Sequence, residues 1–243
     1  QVISMDVPEV GNFSCSDNLV NQIYSNIRAT QRMYLRTVPM DPDRDERQGW
    51  IGDQNHNILS YSYSWNIYPF FSKWLGDLRL DQRANGHLPE VTPSFWEFYN
   101  RSLLWPSGIT LIPELLHQQY ADPQAIRANY AVMHKWMAYF EKQMDSEGIY
   151  PHRDFGDWCD VHQTTGQGRK TPIALLTTAY FYKHCVLMEE FAGMQNLSDD
   201  ARFYQALGER TKTAFNKKFL DPQTAEYQAD TQCDYAVAIM LDL

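Results

Sequence analysis

Stretches in which apolar residues recur with helical spacing make up most of this sequence, and they constrain its fold more than any other feature. Pro69 interrupts one of them, which predicts a kink or a break because proline lacks a backbone N–H and clashes with the preceding turn. Strands do not alternate with the helices, so a parallel βαβ sheet is excluded. Helices are expected at about 16–37, 54–82, 108–121, 124–146, 172–195 and 199–218, with a last apolar run from Tyr235.

Long polar or irregular loops separate several of these helices, notably at 38–53, 83–108 and 147–170. Loops longer than about 12–15 residues in compact domains are usually functional. A helical solenoid requires a repeat of about 34–47 residues, and no such period is present. The sequence therefore predicts an all-α fold, with a closed toroid of helix pairs favoured over a solenoid.

The N-terminus indicates either processing or a fragment of a longer protein, and the C-terminus indicates a chain cut within a helix. The first residues, from Gln1, lack a starting methionine and any signal-peptide pattern. The final apolar run YAVAIMLDL reaches Leu243 without a glycine or a basic last turn, the usual signals at a helix end. We expect residues 1–243 to be the N-terminal and central part of a toroid that closes beyond Leu243.

The composition favours a neutral or cationic ligand. Lys and Arg number 21 against 30 Asp and Glu, and the longest basic run is Arg169-Lys170, whereas nucleic-acid binding requires a basic face. No apolar run approaches the roughly 18 residues of a membrane helix. Nucleic acid and membrane are therefore poor candidates as partners. Seven Trp, fifteen Tyr and twelve Phe favour stacking against carbohydrate, beyond their ordinary role in packing.

No motif for a metal or a cofactor is present. The cysteines at positions 15, 159, 185 and 233 form no CxxC pair, and no HxxxH pattern occurs. His56, His152 and His162 lie in or beside loops, where surface or structural roles are expected. We therefore expect neither a metal nor a cofactor.

The chemistry points to the loop MDPDRDERQGWIGD at 40–53. Its prolines restrict the backbone, and a tryptophan with two glycines is unusual for a solvated surface loop. Interleaved acids and arginines are a means of setting carboxyl pKa values apart. Glycoside hydrolysis requires such a pair of differently protonated carboxyls. From spacing alone the roles of the acids stay open; they are Asp41, Asp43, Asp45, Glu46 and Asp53.

This loop resembles the signature of glycoside hydrolase family 78, the α-L-rhamnosidases. The likeness extends in order along nearly the whole chain. Before the loop it includes the helix CSDNLVNQIYSN, and after it the segments FFSKWLGDLRLDQRANGHLPEVTP, LLWPSG, DFGDW and TPIALLTTAYFY. The resemblance implies an (α/α)6 toroid that removes terminal α-L-rhamnose from glycosides or polysaccharides with inversion.

The resemblance also implies roles for individual residues. Glu46 matches the general acid. The positions that bind rhamnose hydroxyls or hold the acid match Asp41, Arg44 and Asp53. We expect the carboxylates of Asp41 and Asp53 to be ionised. The aromatic walls of the sugar pocket match Trp50, Trp105 and Trp158, with Asp157 beside the last of these.

Two departures from the family pattern affect the pocket. Asp41 runs directly into Pro42, where many members carry a cysteine between the two, and Pro106-Ser107 replaces a frequent Gly-Asp after Trp105. Glu90 and Glu97 flank Trp96 and are expected at the surface, with a subsite role as the alternative.

The second carboxylate of an inverting enzyme, the general base, matches no residue of this chain; the family places it later in the toroid. A catalytically silent carbohydrate-binding protein and an (α/α)6 glycosidase for a different sugar therefore remain alternatives. We expect further domains of the same polypeptide as partners. Degradation of sugar polymers favours a secreted or periplasmic location.

Overall fold

The computed structural model describes residues 5–41, 45–152, 154–157, 170–227 and 231–243, and these ranges contain eight α-helices. Outside the helices, extended pairing in these ranges is confined to isolated bridges. The all-α prediction is therefore confirmed. In chain order the helices are α1 (Asn18–Tyr34), α2 (Ile51–Ser62), α3 (Tyr68–Leu80), α4 (Gly108–Tyr120), α5 (Gln124–Glu141), α6 (Ile173–Met194), α7 (Ser198–Phe219) and α8 (Gln232–Leu241).

Most predicted helices are confirmed, with differences at their ends. The stretch expected at 54–82 is two helices, because Pro69 occupies the first turn of α3, where its missing N–H leaves no hydrogen bond unmade. Helix α8 begins earlier than expected, since Thr231 and Asp234 form a reciprocal capping box. Helix α5 starts just after Pro123, and the Asp122 carboxylate accepts the N–H of Gln124 at 2.8 Å.

The packing order divides the helices into two layers. Helices α2, α4, α6 and α8 contact one another in succession, and we call them the inner helices. Helix α3 packs against α5 in the other layer, whose members we call the outer helices. The hairpins α4–α5 and α6–α7 join the layers. Helix α6 touches α4, α5, α7 and α8, which explains why its sequence is apolar on nearly every side. Alternating inner and outer helices are the arrangement of an (α/α) toroid, as predicted.

The connections alternate in length, and this places the long loops together. Short links make antiparallel hairpins; they lie at 63–67, 121–123 and 195–197. Much longer links lead from an outer helix into an inner one, at 35–50, 81–107 and 142–172. Because consecutive helices run antiparallel, each long link enters an inner helix at its N-terminus, at the same end of the layers. The loops predicted to be functional therefore converge.

The apolar side of α1 is not buried by the described part of the chain. Helix α1 is anchored through Gln31, whose Oε1 accepts the indole N–H of Trp65 at 3.0 Å. Leu19, Ile23 and Ile27, which share its apolar face, are all exposed, by about half or more of their surface. Ile239 and Met240 of α8 are also exposed. Apolar surface is therefore open at both ends of the helix series.

Candidate active site

The acid loop, residues 41–50, joins α1 to α2 and is closed by a backbone pair. The N–H of Asp41 donates to the carbonyl of Gln48 at 2.9 Å. Arg47 has φ 55°, in the left-handed region, which reverses the chain directly after Glu46. Arg44, predicted to contact the sugar, lies outside the described residues. The closed loop carries Glu46 toward the N-terminus of α2.

Glu46 is exposed and is held by the indole of Trp50. The Nε1–H of Trp50 donates to Oε2 of Glu46 at 2.6 Å, which is short for a hydrogen bond from an N–H donor. Trp50 immediately precedes α2, so its ring is fixed by the start of a buried inner helix. Glu46 is thus oriented by a rigid donor while one face of its carboxyl group remains accessible to a ligand.

Aromatic rings from the other two long loops pack around Trp50. Phe98 lies 5.2 Å and Phe155 lies 6.3 Å from it, measured between ring centroids. Phe155 also contacts Trp105, at 4.2 Å between centroids. A continuous aromatic wall therefore joins the acid loop, the link 81–107 and the link 142–172. The sequence indicated Trp50 and Trp105 as walls and missed Phe98 and Phe155.

Asp41 and Asp53 form a carboxyl pair beside this wall. Their side chains share a hydrogen bond, and the indole of Trp105 donates a second one to Asp53. Burial, with Asp41 as a hydrogen-bond partner and a like charge, raises the pKa of Asp53 to about 7. The expectation that both carboxylates are ionised is therefore wrong below neutral pH, because two carboxyls can share a hydrogen bond only when one is protonated.

Gly52 allows Trp105 to approach Asp53. A β-carbon at position 52 would lie 2.4 Å from the indole ring of Trp105, well inside van der Waals contact. Gly52 and Asp53 lie in the first turn of helix α2, which begins at Ile51. The loop predicted at 38–53 therefore ends earlier than expected. The glycine serves a close approach of two elements, not a bend in the chain.

Two buried acids fix the loops that carry the wall. Glu90 is fully buried, contrary to the surface position expected, and it accepts from the backbone N–H of Asn100 at 2.9 Å. Asp154 accepts from the hydroxyl of Ser102 at 2.7 Å and from the N–H of Leu103 at 2.7 Å. Burial raises the pKa of both acids, to about 7 for Glu90. These contacts position the segment that ends in Trp105.

The remaining predicted residues within the described ranges make their contacts outside this cluster. Asp157 accepts the backbone N–H of Thr171 at 3.0 Å, close to the start of α6, and its other oxygen has no partner among the described residues. Trp158 and His162 lie outside the described residues. His152 contacts the ring of Tyr150, at 5.1 Å between centroids, and His56 is exposed on α2.

Sequence reasoning missed Phe98, Phe155 and Asp154 as parts of the site. In the segment DFGDW the sequence predicts only the last two residues as part of the site, although Asp154 and Phe155 make the contacts that join its loop to Trp50 and to the segment ending in Trp105. Phe98 lies in an irregular stretch where an aromatic residue gives no periodic signal. The cluster as the structure shows it runs through Glu46, Trp50, Phe155, Trp105, Asp53 and Asp41.

Two absences apply to the described part of the chain only. It holds no group of three His, Cys, Asp or Glu side chains spaced to bind a metal ion. None of its helices is both long enough and apolar enough to cross a membrane. The site itself combines an exposed acid, a pair of carboxyl groups and an aromatic wall, which suit a polar ligand with apolar faces, such as a sugar.

Comparison with known proteins agrees with this geometry. Residues 8–243 match the family model described as the bacterial alpha-L-rhamnosidase 6 hairpin glycosidase domain. An alpha-L-rhamnosidase of Streptomyces avermitilis is 30% identical over the whole of this chain, which covers 23% of that protein.

Two solved structures show the same fold. The alpha-L-rhamnosidase of Streptomyces avermitilis complexed with L-rhamnose has a TM-score of 0.86 at 29% identity, over 98% of this chain and 22% of that one. The alpha-L-rhamnosidase of Dictyoglumus thermophilum has a TM-score of 0.88 at 28% identity, over 97% of this chain and 27% of that one. The chain thus spans about a quarter of the relatives that it matches. It belongs to the bacterial α-L-rhamnosidase six-hairpin glycosidase domain family.

Proposed function

We propose that the protein containing this chain is an inverting glycoside hydrolase that removes terminal α-L-rhamnose, with Glu46 as its general acid. The contact between Glu46 and the Trp50 indole carries the proposal, because it presents an oriented, accessible carboxyl group within an aromatic pocket. The family and the names of the relatives support rhamnose as the sugar.

In this mechanism Glu46 donates its proton to the glycosidic oxygen as the bond to the sugar breaks. The Asp41–Asp53 pair binds ring hydroxyls, with one protonated and one ionised member acting as donor and acceptor. Its net negative charge also favours the oxocarbenium-like charge of the transition state. Trp50, Trp105 and Phe155 stack on the apolar faces of the rhamnose ring. We assign Arg44, Asp157 and Trp158 to the same pocket on the family pattern.

We further propose that residues 1–243 form the N-terminal and central part of a longer (α/α)6 domain. The open apolar faces of α1 and α8 support this, because later helices of a toroid would cover them. The general base is then a carboxylate from that later part, on the far side of the sugar. Further domains of the same polypeptide are its partners, and it acts outside the cell or in the periplasm.

The test is hydrolysis of a panel of aryl glycosides by the natural polypeptide that contains this chain. We expect release of nitrophenol from the α-L-rhamnoside only, with β-L-rhamnose as the first product anomer in a time course followed by NMR. A folded protein that prefers another sugar would overturn the substrate assignment. First release of α-L-rhamnose would overturn inversion, and sugar binding without turnover would favour a carbohydrate-binding role.

A further inference from the structure

Two adjacent aromatic rings next to the acid loop are exposed and have no role in the mechanism above. Phe95 is 82% exposed and Trp96 is 56% exposed. Their rings meet edge to face, with centroids 5.0 Å apart and planes at 86°. They lie in the aromatic loop, residues 90–100, between α3 and α4. Exposed rings of this size on one loop are typical of a binding surface.

The aromatic loop is held rigidly beneath these rings. The carboxylate of Asp81 accepts from the hydroxyl of Thr92 at 2.6 Å, and from the N–H and hydroxyl of Ser94 at 2.8 and 3.1 Å. The hydroxyl of Tyr99 donates to the carbonyl of Asp81 at 2.6 Å. Both sides of the loop are therefore tied to the end of α3. A backbone fixed in this way presents the two rings at a lower cost in conformational entropy than a mobile loop would.

The same loop is joined to the acid loop. The N–H of Thr92 donates to the carbonyl of Gly49 at 3.0 Å, and the ring of Phe98 packs on Trp50, the residue that holds Glu46. The N–H of Phe98 reaches back to the carbonyl of Trp96 at 2.8 Å. Two residues span at most about 7 Å of chain. The Cα atom of Trp96 is therefore within about 7 Å of the Cα atom of Phe98, whose ring contacts Trp50.

The chemistry of a general acid determines which part of the substrate lies on this side. The acid donates to the oxygen that departs with the leaving group, so the leaving group lies next to Glu46 and not behind the rhamnose ring. We propose that Phe95 and Trp96 form the binding site for the sugar to which rhamnose is attached. This inference rests on the proposed function and adds the site that selects the leaving group.

Polar groups beside the rings favour a sugar over a purely aromatic leaving group. The carboxylate of Glu97 and the guanidinium of Arg83 approach to 3.7 Å; the Glu97 side chain is largely exposed and that of Arg83 is partly exposed. A sugar ring has an apolar C–H face for the indole and hydroxyl groups that can bond to a carboxylate or a guanidinium. An aromatic leaving group would use the rings alone.

The test compares two substrates with alkyl leaving groups, hydrolysed by the natural polypeptide: methyl α-L-rhamnoside and an α-L-rhamnosyl-glucose disaccharide. Removing both rings in Phe95→Ala/Trp96→Ala should lower kcat/KM for the disaccharide by about tenfold, because the second sugar loses the rings on which it stacks. The methyl glycoside should change less than about twofold, because it has no ring to stack. Trp96→Tyr should retain most of the activity on the disaccharide.

The matched control is Phe203→Ala, which removes an exposed ring from α7 and should leave both substrates unchanged. Equal losses on the two substrates, or none on the disaccharide, would overturn the leaving-group site while leaving the proposed function intact. An aryl α-L-rhamnoside is measured as a third substrate. A loss confined to it would assign the rings to an aromatic leaving group and so also overturn the proposal. A wild type that hydrolyses no α-L-rhamnoside would overturn both proposals.

Discussion

The indole Nε1 of Trp50 donates a hydrogen bond to Oε2 of Glu46 at 2.6 Å, and this contact orients the acid loop with respect to helix α2. The two residues lie one helical turn apart in sequence, on either side of the left-handed residue Arg47. The donor is fixed by α2 and by contacts with Phe98 and Phe155. Glu46 is therefore placed by the start of an inner helix, although it lies on an exposed loop.

Replacing Trp50 by Phe tests this orientation, because it keeps a ring in the wall and removes the N–H donor. A hydrogen bond within a protein contributes about 0.5–1.5 kcal/mol, so kcat should fall by roughly two- to tenfold. Trp136→Phe is the control, since its buried indole N–H has no partner among the described residues. An unchanged kcat in Trp50→Phe would show that the contact does not orient the acid.

Gly52→Ala, which adds one methyl group, should weaken the binding of L-rhamnose to the pocket. The new β-carbon would lie 2.4 Å from the Trp105 ring, so the ring must move and its hydrogen bond to Asp53 is lost. We expect a loss of affinity for L-rhamnose of tenfold or more, measured by calorimetry or inhibition, at roughly 1.4 kcal/mol per factor of ten. Gly193→Ala in α6 is matched to it, because nothing lies within 4 Å of its added carbon; that variant should bind normally.

Trp105→Phe should alter the pH dependence of sugar binding. The indole N–H stabilises the ionised form of Asp53. Its removal should therefore raise the pKa of Asp53 above the wild-type value of about 7. If the protonated pair is the form that binds rhamnose, the inhibition constant of L-rhamnose should rise with pH near neutrality in the wild type and at higher pH in the variant. The same inflection in both proteins would exclude Asp53 as its source.

Glu90 makes stability depend on pH in a defined direction. Its pKa is raised from 4.5 to about 7 by burial, so between these values the folded protein holds a proton that the unfolded chain has released. Stability therefore falls as pH rises through this window and is greatest below it.

Glu90→Gln should remove the contribution of Glu90 to the fall in the free energy of unfolding between pH 5 and 8. That contribution is at most roughly 3 kcal/mol, at 1.36 kcal/mol per pKa unit. Asp53 acts in the same direction, so the decline is reduced and not abolished. Thermal unfolding at the two pH values measures it, with Glu209→Gln on the exposed face of α7 as the control. An equal decline in wild type and Glu90→Gln would contradict the assignment.

The parts of this fold that are local in origin could be predicted from the sequence. Helices α4 and α6 were expected within one or two residues, because their apolar pattern and flanking prolines act over a single turn. The start of α2 was missed because Gly52 reads locally as a loop residue, and its purpose is a contact with Trp105, more than fifty positions later. Local patterns contain no information on such approaches.

The site likewise has residues that the sequence predicts and contacts that it does not. Glu46, Trp50, Asp41 and Asp53 share one motif and could be named from it. Which acids pair could not be deduced, because the pairing depends on where Trp105 and the end of the acid loop meet. The burial of Glu90 has the same cause: its hydrogen bonds to Asn100 and Ser102 form only after the loop folds over it.

The most direct test of the central claim compares Glu46→Gln with wild type on two substrates of different leaving-group quality. A nitrophenyl α-L-rhamnoside needs little protonation of its leaving oxygen, whereas a rhamnosyl-glucose disaccharide needs a full proton donor. The account predicts a loss of about 10² to 10⁴ in kcat for the disaccharide, a clearly smaller loss for the aryl substrate, and an unchanged circular-dichroism spectrum. Equal losses on the two substrates, or near-native turnover of the disaccharide, would contradict the role of Glu46 as the general acid.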